Sequence, residues 1–244
     1  MPTFSAETLF TFWHFPVTNA ILDTLFVDAL IIIALLNVRK LTLVPGFFQN
    51  VMEIIIDGFY SLTESISPKN AMRIFPYVVS FFLFILLANW SGLIPGFSTI
   101  GIRRDGELIP FFRAATSDIN TTLALALVSA VATHVMSVQV VGIKDYLSRY
   151  FSLNPLYLFI GLLEIIGEVT KVISLSFRLF GNVFAGEVLI STISNMFAFI
   201  LPLPFMALEI IVGLVQALVF GMLTMAFMAI LTTPHHEEEH VTEH

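Results

Sequence analysis

An arginine stands deep inside a long apolar stretch: Arg178, within Ser176–Gly186 (SFRLFGNVFAG), with Glu187 next in line. Between Pro155 and Pro202 the chain has no proline, and its only basic side chains there are Lys171 and Arg178. Placing an arginine at a bilayer centre costs about 2.5–3.5 kcal/mol on insertion scales. Its guanidinium keeps its proton at any physiological pH. A permanent cation held at that cost points to a fixed electrostatic element on the path of an ion.

Other polar residues gather around it. On a helix turning 100° per residue, Glu164, Glu168, Lys171, Arg178 and Asn182 fall within about 80° of one another. Glu187 falls on the opposite side, and in the last apolar segment Glu209 and Gln216, seven apart, share a face. The spacing describes two polar routes with Arg178 between them: one near Glu164 and Glu168 opening inward, one near Glu187 and Glu209 opening outward. Plainer readings stand beside these. Glu164 and Lys171 (i, i+7) suit a weak surface pair, Asn182 and Gln216 suit interhelical glue, and His134 suits either a packing position or a proton relay. Asp23 and Asp28 mark the outer end of the first apolar segment. The tail HHEEEHVTEH offers His235, His236 and His240 to a divalent ion, but nothing there fixes a geometry; a solvated acidic tail over residues 233–244 is the expectation.

Composition places these groups in a membrane. Mean hydropathy is +0.91, and 57% of residues are hydrophobic against 12% charged, where soluble chains carry roughly 25% charged. A net charge of −7 gives no sign of nucleic-acid binding. The chain has no cysteine, which excludes disulfides, thiol catalysis and Cys-ligated metals. Its first residues lack the basic region and small-residue cleavage site of a signal peptide, so residue 1 is expected to begin the working protein. One integral membrane domain over residues 1–244 is expected. There is no GxxxxGK[ST] loop, no HExxH and no GxSxG, so no catalytic site is readable and neither cofactor nor metal is expected.

The pattern predicts an all-α integral membrane protein with about five embedded helices and one interfacial amphipathic helix. Ile21–Val38, Ile74–Leu93 and Ile119–Val141 each match the roughly 20 helical residues needed for a core of about 30 Å. Phe48, Val51, Met52, Ile55, Phe59, Leu62 and Ile66 form one stripe of a helix over 47–66, and Glu53, Asp57, Ser61 and Glu64 form the opposite one. That acidic face reads as a docking surface for another protein, or as a cover for headgroups. A polar hairpin follows from Pro95 to Arg113, and Lys144, Asp145 and Arg149 read as a short charged loop. The last pair, Leu156–Leu201 and Phe205–Leu231, span about 67 Å and about 40 Å as helices, so they must tilt or break. Such a tilted hairpin suits a large curved partner. Arg39, Lys40, Lys69, Arg73, Lys144 and Arg149 fall on one side, against Arg103, Arg104 and Arg113 on the other. That imbalance sets the first group in the cytoplasm, the N-terminus outside and the C-terminus inside.

With these residues assembled, the chain resembles subunit a of the F-type ATP synthase, the stator half of the membrane motor. The resemblance rests on SLSFRLFGNVFAGE (Ser174–Glu187), with TSDINTTLAL (Thr116–Leu125) and LVQALVFGMLT (Leu214–Thr224) in support, and covers essentially the whole chain. It implies ion translocation, most simply of protons, through two offset half-channels against a carboxylate on a rotating ring of c subunits. It carries the essential arginine onto Arg178, the outer half-channel onto Glu187, Glu209, Asn182, Gln216 and Asp118, and the inner path onto Glu164 and Ser174. Many members carry histidine at one of the two outer positions, whereas Glu187 and Glu209 are both acidic here. It implies a non-catalytic subunit without cofactors. The implied partners are the c ring, the peripheral-stalk b subunits, other ATP synthase subunits and the lipid bilayer, in a bacterial plasma membrane. Two other readings compete: a self-contained secondary transporter or channel, for which no internal repeat is found, and a non-transporting scaffold, which has no use for Arg178.

Overall fold

Apolar length decides which helices can span a bilayer. In the computed structural model, which describes residues 6–13, 15–38, 46–94, 96–97, 100–104, 107–150, 155–196 and 200–233, four do so on length and composition. They are α1 (Asn19–Val38), α3 (Ala71–Ser91), α4 (Ile119–Val141) and α7 (Pro202–Leu231). α6 (Pro155–Met196) is 42 residues long, about 63 Å at 1.5 Å per residue. Glu164, Glu168, Lys171, Arg178 and Glu187 interrupt its hydropathy, yet it packs along both α4 and α7. Its neighbours therefore hold it among the spanning helices. The fold is that of an all-α integral membrane protein.

α2 (Phe47–Ile66) has the bounds its periodicity predicts. It rests on α3 through Phe59 and Thr63, and Phe59 meets Phe82 with ring centroids 4.6 Å apart. Its Glu53 accepts a hydrogen bond from Gln49 Nε2 at 2.8 Å. At the centre of the bundle, α3 buries Ile74, Val78, Phe81, Phe82, Ile85 and Leu86, a 3–4 spacing that covers one whole face, and it packs most extensively on α7. Asn89 Nδ2 donates to the Gly213 carbonyl at 2.9 Å and Trp90 Nε1 to the Ile210 carbonyl at 3.1 Å, so α3 and α7 run antiparallel. α4 runs parallel to α7, through Ser129–Thr224 and Ser137–Leu231, and α6 runs against both.

Several expectations are corrected. The charged segment after α4 is a helix, α5 (Ile143–Tyr150), because Gly142 at φ +93° ends α4 and restarts the chain at a new angle. The polar segment between α3 and α4 holds the expected hairpin, as antiparallel strands β3 (Gly101–Arg104) and β4 (Glu107–Pro110), while a further hairpin not expected, β1 (Thr8–Phe12) with β2 (Phe15–Thr18), precedes α1. α6 is described as far as Met196, and α7 starts at Pro202 rather than Phe205, since proline is tolerated in a first helical turn whose N–H groups have no partner. Arg39, Lys40 and the tail histidines lie outside the described residues.

Candidate functional site

The polar side chains sort by helix direction into two ends. At the first end stand the starts of α1, α4 and α7 and the far ends of α3 and α6. There Arg113, 6% exposed, faces Glu187, 30% exposed, with Nε 3.1 Å from Oε1 and 3.2 Å from Oε2. The same Nε donates to Ser117 Oγ at 2.9 Å. Ser117 closes a 3-10 turn (Ala115–Ser117) that leads into α4, where Asp118 is the buried N-cap and accepts from the Asn120 backbone N–H at 3.3 Å. Glu209 is buried on α7, and a Cβ at position 186 would collide with its carboxylate. With glycine at 186, the Glu209 carboxylate lies directly against α6, a place that any side chain there would force it to leave.

Beneath this cluster lies a second one that fixes its scaffold. Asp23, fully buried, accepts at Oδ2 from Ser91 Oγ at 2.8 Å and from the Ala115 N–H at 2.9 Å. Asn89 Oδ1 accepts from Thr116 Oγ1 at 2.7 Å. Asp23 was expected to mark the interface; instead it clamps α1, α3 and the turn before α4. No periodicity announces such a contact, because its partners come from three separate segments.

Midway along α6, Arg178 is exposed on the outer face of the bundle, and Glu187 points the other way, into it. Its Nη2 reaches Ser174 Oγ at 3.5 Å, and among the described residues no carboxylate pairs with it. Arg178 shares a small recess with Gln216, walled by Leu175, Leu179, Val219 and Phe220. The α6–α7 register is antiparallel and even: Gly186 meets Glu209, and seven residues back on α6 the Arg178–Leu179 level meets Gln216, seven residues on along α7.

At the other end, Arg149 of α5 holds Glu164, with Nε 2.9 Å from Oε1. Glu164 therefore pairs with α5 and not with Lys171, since the short helix brings a guanidinium closer than two helical turns can bring the ammonium. Lys171 Nζ instead donates to Glu168 at 2.7 Å and lies 4.8 Å from the Phe227 ring centre. His134 Nε2 stands 3.7 Å from Glu168 Oε2, and its Nδ1 is 3.0 Å from the Tyr146 hydroxyl. Burial, with Tyr146, Glu168 and Glu164 adding to it, pushes the neighbouring Tyr150 phenol above its ordinary range.

Residues 20–229 match the family described as ATP synthase A chain. Among individual proteins, the ATP synthase subunit a of Moorella thermoacetica is 32% identical over 88% of this chain and 90% of its own. That of Geotalea daltonii is 34% identical over 84% of this chain and 82% of its own, and that of Syntrophobacter fumaroxidans 37% over 78% and 74%. The chain belongs to the ATP synthase A chain family.

For a member of the ATP synthase A chain family, the site residues expected from the resemblance fall into three places. Glu187, Glu209 and Asp118 stand at the first end, with Asn182 half-buried one to two turns below Glu187. Arg178, Ser174 and Gln216 stand together at mid-length. Glu164 stands at the opposite end, away from Ser174 and closed by Arg149. Three partners were missed as site residues: Arg113, counted only as a loop charge, and Arg149 and Tyr146 on α5. For Arg113 the available signal was a basic side chain five residues before the capping Asp118, within a segment too short to project it elsewhere.

Proposed function

We propose that this chain is the stationary ion-conducting subunit of an ATP synthase membrane sector, non-catalytic by itself. It works against a ring of c subunits with the peripheral-stalk b subunits and other ATP synthase subunits as neighbours. Its seat is a bacterial plasma membrane, with the N-terminus outside and the C-terminus in the cytoplasm. The ion, most simply a proton, passes through two offset half-channels: an outer one lined by Glu187, Glu209, Asn182, Gln216 and Asp118, and an inner one by Glu164 and Ser174. The observation that carries the reading is the placement of Arg178. It presents a permanent cation on the outer face of the bundle, without an acidic partner among the described residues, between two charged clusters roughly 13 and 15 Å away along α6.

The chemistry follows from that placement. A guanidinium beside a ring carboxylate favours its ionised form, so a carboxyl arriving loaded releases its proton there. Arg178 cannot itself give up a proton, so it cannot carry one between the half-channels. Each charge crossing 100 mV is worth about 2.3 kcal/mol, which a direct leak would dissipate. The acidic face of α2 is proposed as the seat of the peripheral stalk.

The test is ATP-driven ion pumping in vesicles carrying the assembled complex, with Arg178→Ala beside wild type and co-purification of the c ring checked. Loss of pumping with the ring retained upholds the reading. Surviving pumping, or a ring that never binds, overturns it in favour of a self-contained transporter.

A further inference from the structure

The inner end holds several groups that neither half-channel uses, and His134 stands among them. We propose that His134 is a proton-exchanging residue on this side, passing protons to Glu168 at the head of the cleft between α4, α6 and α7. The proposal rests on the ion-translocating reading above.

Both ring nitrogens of His134 face groups suited to exchange. Nδ1 is 3.0 Å from the Tyr146 hydroxyl and Nε2 is 3.7 Å from Glu168 Oε2. A hydroxyl both donates and accepts. It can donate to Nδ1 of the neutral ring and, after rotation about its C–O bond, accept from Nδ1–H of the charged one. The Tyr146–Nδ1 contact therefore serves both states of the ring, and the 3.7 Å between Nε2 and Glu168 Oε2 is closed by a small approach of the two side chains or by one water. Among the described residues, the other charged and titratable neighbours are Lys171, bonded to Glu168, and the Arg149–Glu164 pair with Tyr150, about one turn away. From α7, whose one acid among the described residues is Glu209 at the opposite end, no titratable group faces the site.

The cleft beside Glu168 and the recess of Arg178 share one wall. Ser129, Thr133, Glu168, Lys171 and Leu175 line the cleft, and Leu175 is also a wall of the recess holding Arg178 and Gln216. Glu168 is bonded to Lys171 as Glu164 is to Arg149, so each acid has a basic partner. The Tyr146 hydroxyl gives its proton to Nδ1, forming imidazolium, and takes one from water in return. Loss of the Nε2 proton to the Glu168 carboxylate leaves neutral imidazole with Nδ1–H and a protonated carboxyl, so one proton has moved from the mouth to the cleft. Glu168 then releases it to water in the cleft, and the reverse steps serve the opposite direction.

Imidazole changes charge between pH 5 and 8, where water-exposed carboxylates and ammonium groups do not. The experiment follows ATP-driven pumping by the assembled complex, normalised to ATP hydrolysis, with the pH on the inner side varied over that range. His134→Gln and Tyr146→Phe are compared with wild type at each pH, and ring co-purification is checked. The expected result is a variant-to-wild-type ratio that changes severalfold across the range for His134→Gln and in the same direction, less steeply, for Tyr146→Phe. A ratio constant with pH overturns the proposal and leaves His134 a packing residue. Should His134→Gln fail to assemble, Tyr146→Phe decides alone, since it keeps the ring contact and removes only the hydroxyl. Arg178→Ala runs alongside: if it still pumps, the ion-translocating reading has failed, whatever His134 does.

Discussion

Arg113 Nε sits between the two carboxylate oxygens of Glu187, 3.1 Å from one and 3.2 Å from the other, across 74 residues of sequence. The guanidinium is buried and the carboxylate about a third exposed, so removing either charge leaves the other poorly solvated. Breaking a fully buried pair costs about 3–5 kcal/mol; with Glu187 partly wet, Arg113→Met is expected to cost about 1–3 kcal/mol. Because the pair is one unit, Arg113→Met with Glu187→Gln will be less unstable than the two single costs added. A double-mutant cycle on thermal unfolding of the purified complex reads this directly. Additive costs mean that the two side chains stand apart in the working protein.

Gly186 and Glu209 make a steric prediction. A methyl at 186 has no room beside the Glu209 carboxylate, so Gly186→Ala must push α7 outward or turn Glu209 away. The expected outcome is a complex that assembles but pumps poorly. Shortening the obstruction with Glu209→Ser in the same chain will relieve the assembly strain without restoring a carboxylate. Heat stability of the double variant, measured beside Gly186→Ala alone, settles it: no recovery means the crowding lies elsewhere.

How much of this was legible in the chain depends on distance along it. The bounds of α2 and α4 came from periodicity and apolar length, which act within one helix. The opposite facing of Arg178 and Glu187 likewise needed only the helical angle between them. Partners from other segments were not readable that way. Glu164 looked nearest to Lys171 on its own helix, yet Arg149 reaches it from α5, whose eight residues are too few to show a period. Asp23 looked like an interfacial acid because only the folded bundle brings Ser91 and Ala115 to it.

That clamp is itself testable. Removing the Asp23 carboxylate strands the buried Ala115 N–H, whereas Ser91 keeps an alternative in the Ala88 carbonyl at 2.9 Å. The cost of Asp23→Ala should therefore be close to one stranded donor, about 1–3 kcal/mol, plus the small void. Asp23→Asn retains one carbonyl oxygen able to accept both donors and is expected to cost less than half as much. Thermal unfolding of the two variants in the same detergent or lipid distinguishes them; equal losses would show that charge, not acceptor geometry, matters at this position.

Asn89 provides the sharpest discrimination, because its amide is used in both senses. Nδ2 donates to the Gly213 carbonyl and Oδ1 accepts from Thr116, so the side chain ties α3 to α7 and to the turn before α4 at once. Asn89→Asp is nearly the same shape but has no donor when ionised. It sets a buried negative oxygen against the Gly213 carbonyl, an arrangement that costs more than the loss of one bond. Asn89→Ala removes both groups and leaves a small void with Thr116 and the Gly213 carbonyl unpaired. If the donor sense matters, Asp will match or exceed Ala in destabilisation at neutral pH, and acid will narrow the gap as the carboxyl gains a proton and a donor. Unfolding of the two variants at pH 7 and pH 5 tests this. An aspartate variant as stable as wild type at pH 7 would mean that α3 and α7 do not meet at Gly213 in this register.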